Sequence, residues 1–321
     1  MLADGEPHSG EALARRFGVS RAAIAKHVAK LRQRWELEVR ALAGVGYRLA
    51  APIDLIDARE LRAALVPVSG WRVGALEAVL ELPSTNQRLL ERPPPAAGVL
   101  DVCLAEFQTA GRGRRGRAWR TPLGAGVCLS VAWQFGAPPR DLAALTLAVG
   151  VVARRAIDAA CGVQAALKWP NDLVWDERKL GGILLELKGE AHGGCHVVAG
   201  IGINVALPAA RLAALADWPR GAVDLAAATD GAPPRRTLLA AALIRGLGEL
   251  LAGYAQAGFG AYRADWRAAD FLHGRTVMLD DPAGRVVGTA AGIAADGALV
   301  VATANGERHR VTAGDVSVRA P

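Results

Sequence analysis

Between residues 165 and 205 three apolar runs follow one another almost without interruption: KWPNDLVW, KLGGILLELK and CHVVAGIGINV. Each reads as a strand, and the gaps between them are too short for the crossover helix that parallel neighbours need. The succession therefore predicts a mixed or antiparallel sheet with helices packed on it, and it argues against a regular βαβ array. The same patterning predicts strands at 74–82, 99–107, 126–135, 165–169, 172–175, 180–188 and 195–205. It predicts helices at 84–91, 140–161 and 235–254.

Different textures flank this sheet. From Asp270 to Pro321 short apolar runs alternate with glycine turns (TVMLDD, GRVVGTAAGI, ALVVAT), as in a small all-β barrel. At the other end, SGEALARRFGVSRAAIAKHVAKLRQR predicts two short helices: Ser9 caps the first, Gly18 turns the chain and Ser20 caps the second. Ile24, Val28 and Leu31 form one apolar stripe on the second helix. Arg21, Lys26, Lys30, Arg32 and Arg34 lie elsewhere on its surface. Two strands around Gly44–Gly46 follow as a wing. The pattern is that of a winged helix-turn-helix, whose groove-facing residues would be Ser20, Arg21, Ala22, Lys26 and Lys30. A solvated helical hairpin with no role in DNA binding is the alternative. Residues 1–50 hold nine Lys/Arg against five Asp/Glu, so about +4 of the net +7 sits here, which favours the DNA reading. The break at Ala51-Pro52 and the change of texture near 270 divide the 321 residues into units 1–52, 53–269 and 270–321.

Composition narrows the class. With 52% hydrophobic and 21% charged residues the chain is a packed protein, not a disordered one. Its four cysteines, Cys103, Cys128, Cys161 and Cys195, follow no metal-ligand spacing and read as reduced core thiols. The N-terminus lacks the order of a signal peptide, and Arg154, Arg155 and Asp158 break the apolar stretch 140–161 before a spanning length. A soluble cytoplasmic protein with no membrane partner is expected.

Gly111-Arg-Gly-Arg-Arg-Gly116 satisfies G-x-G-x-x-G, but Pro122 and Gly124 forbid the helix that a dinucleotide site requires. What remains is five guanidinium groups, at 112, 114, 115, 117 and 120, on a glycine frame. Their mutual repulsion predicts a loop that is mobile when empty and ordered around a polyanion. A basic surface loop or a nucleic-acid contact is equally compatible with composition alone.

In this order, LPSTNQRLL, EFQTAGRGRRGRAWRTPLGAGVCLS, KWPNDLVWDERKLGGILLEL and GIGINVAL closely resemble the signatures of the biotin protein ligases. The head and the terminal β unit resemble the bifunctional branch of that family, the biotin operon repressor type. The resemblance spans essentially the whole chain. It implies an α+β fold: an N-terminal winged helix-turn-helix, a central class II aminoacyl-tRNA-synthetase-like mixed sheet with helices, and a C-terminal SH3-like β barrel. It also implies the reaction. Biotin and ATP, with Mg²⁺, form biotinyl-5′-AMP, and a lysine of a biotin carboxyl carrier protein then takes the biotinyl group. The adenylate would favour a homodimer that presents two heads to a DNA operator. In the family a further helix precedes the segment matching LADGEPHSG, so either a head lacking part of its core, with DNA binding less secure than ligation, or a start upstream of Met1 is expected.

The resemblance assigns the residues as follows. Lys179 and Arg114 are catalytic. Ser84, Thr85, Asn86, Gln108, Arg112, Gly113, Arg114, Lys179, Gly182 and Gly202 hold biotin. Arg112, Arg114, Arg115, Trp119, Lys168, Asn171 and Asn204 hold the nucleotide, and Asp172 is a candidate Mg²⁺ ligand. Neutral Ser, Thr, Asn and Gln suit a neutral ureido head, where a buried charge would go uncompensated. Ser84 can also be a plain N-cap, and Trp119 and Trp169 can be core residues. A lysine at a strand end ordinarily snorkels to solvent, whereas a fixed cation here would offset the repulsion between two reacting anions. Two other readings stay open: a lipoate-type acyl ligase on the same fold, and a non-catalytic transcription factor that senses biotin.

Overall fold

The computed structural model describes every residue except 36, 67–69, 190–193, 210–211, 213–220, 282–283, 313–314 and 319–321. At the N-terminus, α1 (Gly10–Phe17) and α2 (Arg21–Trp35) are joined at Gly18, which adopts φ 63°. Ser9 Oγ accepts from Glu11 N at 3.3 Å, and Ser20 Oγ accepts from Ala23 N at 3.1 Å. These bonds satisfy donors that a helix start leaves open. Strands β1 (Val39–Leu42) and β2 (Gly46–Leu49) pair antiparallel as the wing. Gly46 has φ 139°, and a Cβ there would come within 2.0 Å of His8 O, so only glycine lets the wing strand pair with the segment before α1. Ile24 and Val28 bury against Leu13, Val39 and Leu49, with Leu2 and Ile53 packed at the edge. Ile53 N donates to Ala3 O at 2.8 Å, which ties the end of the head back to its start.

The central unit opens with α3 (Ala58–Ala64), capped by Asp57. Strand β3 (Arg72–Leu82) is followed by α4 (Thr85–Leu90), β4 (Val99–Gln108) and β5 (Gly126–Phe135). Then come α5 (Leu145–Cys161), β6 (Ala166–Lys168), β7 (Asp172–Trp175), β8 (Arg178–Gly189) and β9 (Cys195–Asn204). Helices α6 (Leu225–Ala228), α7 (Arg236–Ala257) and α8 (Arg263–Ala268) complete it. The seven strands form one sheet in the order β3-β4-β5-β9-β8-β7-β6. Only β3 and β4 pair in parallel, because α4 carries the chain across; the other pairs are antiparallel. The sheet is mixed, as the run of successive strands requires.

Alternation along β4 and β5 decides the two faces. Val102, Leu104, Leu129 and Val131 join the main core with α5 and α7. Cys103, Ala132 and Val198 point the other way and pack with Leu89 of α4. Burial pushes the Cys103 thiol up to about 12, and Cys128 and Cys195 are buried as well. Among the described residues, α7 alone is long and apolar enough to cross a membrane by composition. Leu239, Leu243, Ile244, Leu247 and Leu250 are wholly buried in the core, so here it is an interior helix.

The C-terminal strands are β10 (Thr276–Asp281), β11 (Gly284–Ile293), β12 (Leu299–Ala302), β13 (Arg308–Val311) and β14 (Asp315–Val318). They form an antiparallel sheet in the order β13-β12-β11-β10-β14. Val277, Ala290, Leu299 and Val301 share the central core, and Trp169 Nε1 donates to Gly297 O at 3.0 Å.

Polar contacts tie the head down. Arg34 Nε donates to Glu81 Oε2 at 2.8 Å, and Trp35 Nε1 donates to the same oxygen at 2.7 Å. Arg32 Nε donates to Val39 O at 2.8 Å. Two arginines expected on the open face of α2 are thus spent on the wing and on β3. Behind the linker, the buried Arg236 donates to Gly126 O at 2.7 Å and to Glu106 Oε2 at 2.6 Å.

Candidate active site

The C-terminal ends of β3 and β4, the arginine loop, and the facing stretches of β7, β8 and β9 enclose a cavity of about 330 Å³. Of the expected ligand-contacting residues, Ser84, Thr85, Asn86, Gln108, Arg112, Gly113, Arg114, Trp119, Lys168, Asn171, Asp172, Lys179, Gly182, Gly202 and Asn204 all line it. Arg115 does not. It sits exposed in the loop with φ 55°, outside the residues that line the cavity.

One end of the cavity is neutral and closely wired. Ser84 caps α4 by accepting from Gln87 N at 3.4 Å, which leaves its O–H proton to be donated elsewhere. Gln108 Oε1 accepts from Thr85 N at 2.8 Å and Thr85 Oγ1 at 3.2 Å, so its amide N–H groups are what it can offer a ligand. Ser130, fully buried on β5, lies with its Oγ 2.6 Å from Thr85 Oγ1 and 2.5 Å from Asn86 Oδ1. Asn86 Nδ2 donates to Leu184 O at 3.1 Å and to Glu186 Oε2 at 2.8 Å. Both its N–H groups are therefore committed inside the protein, while Asn86 itself still lines the cavity. Close approach here needs glycine: a Cβ on Gly200 would come within 2.1 Å of Asn86 Oδ1.

The other end is cationic. Arg112, Arg114, Arg117, Arg120, Lys168 and Lys179 line the cavity together with a single carboxylate, Asp172. Such an excess suits a polyanion. Lys179 opens β8, and its Nζ lies 2.7 Å from Asp172 Oδ1 and 5.9 Å from the centre of the Trp119 ring. Its backbone is held by Asn204, whose Nδ2 donates to Val223 O at 3.1 Å and to Lys179 O at 3.4 Å. Asn204 Oδ1 is buried with no protein partner. Trp119 lies flat on β9, where a Cβ on Gly202 would meet its ring at 2.3 Å.

The arginine loop is a small hairpin. Gly113 N donates to Arg117 O at 2.7 Å and Trp119 N to Gly111 O at 2.9 Å. Arg114 NH1 donates to Asn171 Oδ1 at 3.4 Å, and Asn171 is anchored to β8 through Ile183 O at 2.8 Å. Asp172, the candidate Mg²⁺ ligand, pairs through Oδ1 with Lys179. Among the described residues no group of three or more His, Cys, Asp or Glu side chains could hold a metal ion. Ser130 and Glu186 were missed from sequence. A lone serine in the otherwise apolar run GVCLSVAW was the available signal for the first; Glu186 had none.

On the head, Ser20, Arg21, Ala22, Lys26 and Lys30 are all exposed. Ser20 caps α2, and the other four lie on that helix, which buries Ile24 and Val28.

A two-ended cavity on a mixed sheet, flanked by a winged head and a β unit, agrees with three family models. Residues 79–204 match the biotin/lipoate A/B protein ligase family, 272–319 the biotin protein ligase C-terminal domain, and 1–48 an HTH domain. The chain is 38% identical to the Bifunctional ligase/repressor BirA of Escherichia coli, over 94% of this chain and 90% of that one. It is 35% identical to the Biotin--[acetyl-CoA-carboxylase] ligase of Mycobacterium tuberculosis, over 84% and 97%. The biotin protein ligase from Aquifex aeolicus in complex with biotin and ATP superposes with a TM-score of 0.61 at 25% identity, covering 77% of this chain and 98% of that one. The chain belongs to the biotin protein ligase family, in its bifunctional ligase/repressor branch.

Proposed function

We propose that this protein is a biotin–protein ligase and a biotin-responsive repressor. It makes biotinyl-5′-AMP from biotin and ATP, then passes the biotinyl group to a lysine of a biotin carboxyl carrier protein. The observation that carries this reading is a single cavity with a neutral hydrogen-bonding end at Ser84, Thr85 and Gln108 and a cationic end at Lys179 and Arg114. One end matches a ureido group, the other a triphosphate.

In the first step a biotin carboxylate oxygen attacks the α-phosphorus of ATP, and the bond to the β-phosphate oxygen breaks to release pyrophosphate. Lys179, held between Asp172 and the Trp119 face, offsets the repulsion between carboxylate and phosphate. It then stabilises charge growing on the α-phosphate oxygens. The buried Asn204 Oδ1 can accept from the exocyclic amine of adenine, with Trp119 alongside the ring. In the second step the carrier ε-amine attacks the acyl carbon, AMP leaves, and a base in solvent takes the amine proton. The arginine loop covers the mixed anhydride and keeps water out. Asp172, whose Oδ1 pairs with Lys179, remains the protein's candidate ligand for Mg²⁺, directly or through water. Mg²⁺ is proposed to arrive as part of the MgATP substrate, its ligands mostly phosphate and water.

The functional units are 1–52, 53–269 and 270–321. Adenylate-bound protein forms a homodimer whose two heads meet a two-half-site operator through Ser20, Arg21, Ala22, Lys26 and Lys30. The protein works in the cytoplasm. ATP–pyrophosphate exchange, run separately with biotin, lipoate and octanoate, tests the first step: exchange with biotin alone is expected, and exchange with lipoate alone overturns the substrate. Biotin transfer to an acceptor domain separates an enzyme from a pure sensor.

A further inference from the structure

Glu186 lies outside the cavity wall, yet it joins the two parts of the site that must act together. Its Oε2 accepts from Asn86 Nδ2 at 2.8 Å and from Arg112 NH2 at 2.9 Å. Asn86 is 4% exposed, and its carboxamide also holds Ser130, which sets the Thr85 hydroxyl. Arg112 stands at the foot of the arginine loop, bridged across to Ala118. One carboxylate oxygen on β8 thus ties the neutral floor of the cavity to the hinge of its cationic lid.

We propose that Glu186 is a positioning residue that latches the arginine loop to the pocket floor, so that vitamin recognition and lid closure form one cooperative event. The inference rests on the activity proposed above. The carboxylate touches neither ligand; it acts through Arg112 and Asn86. Two donors converging on one anionic oxygen each make a charge-assisted bond, stronger than bonds to a neutral acceptor. Loss of the charge removes the ion pair with Arg112 and weakens that bond most, while a glutamine carbonyl can still take the Asn86 N–H. Order at the floor and closure of the lid then separate. Since Arg112 and Glu186 are part-exposed, at 40% and 24% of their side-chain surface, the latch weakens as salt rises.

The test uses full-length protein charged with radiolabelled biotin and MgATP. The half-life of bound adenylate is measured after a chase of unlabelled biotin and ATP, at low and high ionic strength. Glu186→Gln is expected to shorten the half-life about fivefold at low salt and to reduce its salt dependence. Its thermal midpoint should match that of wild type, which a merely structural role would not allow. In a double-mutant cycle, Glu186→Gln should add little to Arg112→Gln, since both break one contact. Wild-type release from Glu186→Gln, or full additivity in the cycle, overturns the latch while leaving the ligase reading intact. If no variant, wild type included, forms adenylate, the ligase reading and the latch fall together.

Discussion

Replacing Lys179 by methionine keeps most of the stem volume and removes the ammonium. Two consequences follow from the 2.7 Å contact with Asp172. First, the reacting phosphate loses its nearest strand-end cation. At an effective dielectric of about 20, unit charges about 4 Å apart interact by about 4 kcal/mol. Only the part that grows between bound substrate and transition state affects the chemical step. Loss of one preorganised group of this kind costs roughly 2.7–4 kcal/mol, or about 10²–10³ in rate. Second, Asp172, only 14% exposed at its side chain, is left as an uncompensated anion beside two others. Adding Asp172→Asn to Lys179→Met should therefore restore about tenfold, equivalent to ~1.4 kcal/mol of relieved repulsion. Rapid-quench measurement of adenylate formation with saturating biotin and MgATP reads the chemical step directly. A Lys179→Met rate within threefold of wild type, as an order-of-magnitude threshold, refutes the electrostatic role. A double variant no faster than Lys179→Met refutes the residual-carboxylate argument.

Other perturbations probe other parts of the fold. Arg114→Gly removes the contact to Asn171 and should shorten retention of the adenylate, raising the labelling of a non-cognate protein several-fold, roughly in line with the loss of one hydrogen bond; unchanged bystander labelling speaks against it. Gly202→Ala drives a methyl into the Trp119 ring and should raise the KM for ATP about tenfold or more in steady-state assays; an unchanged KM speaks against Trp119 beside the nucleotide. Hydrogen bonds from Arg88, reinforced by Arg92, hold the Glu77 carboxyl below its ordinary value of 4.5. That stabilisation is complete above the unfolded value and fades as pH falls through the lower folded value. Glu77→Gln should therefore flatten the acid limb of a denaturation-midpoint profile below about 4.5. Arg236→Met strands Glu106 at 8% side-chain exposure and should cost roughly 3–5 kcal/mol in chemical denaturation, whereas replacing both partners with apolar residues should cost less.

Much of this protein was legible along the chain because its signals are local. Strand patterning from 99 to 205 announced a mixed sheet, since apolar runs joined by a few residues have no room for crossovers. Ser9, Gly18 and Ser20 marked the two helices of the head by their capping chemistry alone. The arginine loop declared itself by composition, and Pro122 excluded the dinucleotide alternative before any coordinates were needed. These are short-range constraints of torsion and hydrogen bonding, and the same residues would impose them in any fold.

What the tertiary structure alone decided is which distant groups share charge and hydrogen bonds. Nothing near Asp172 in sequence shows that its carboxylate is taken by Lys179, and nothing near Asn86 shows that its amide is spent on Leu184 and Glu186. Arg34 and Arg115 look like their neighbours on paper. Docking on β3 gives the first to Glu81, and a left-handed turn leaves the second exposed. The physical reason is that a side chain's pattern records its preference for helix, strand or solvent. Its partner is set by the folded path, which brings residues such as 86 and 186 to within one hydrogen bond.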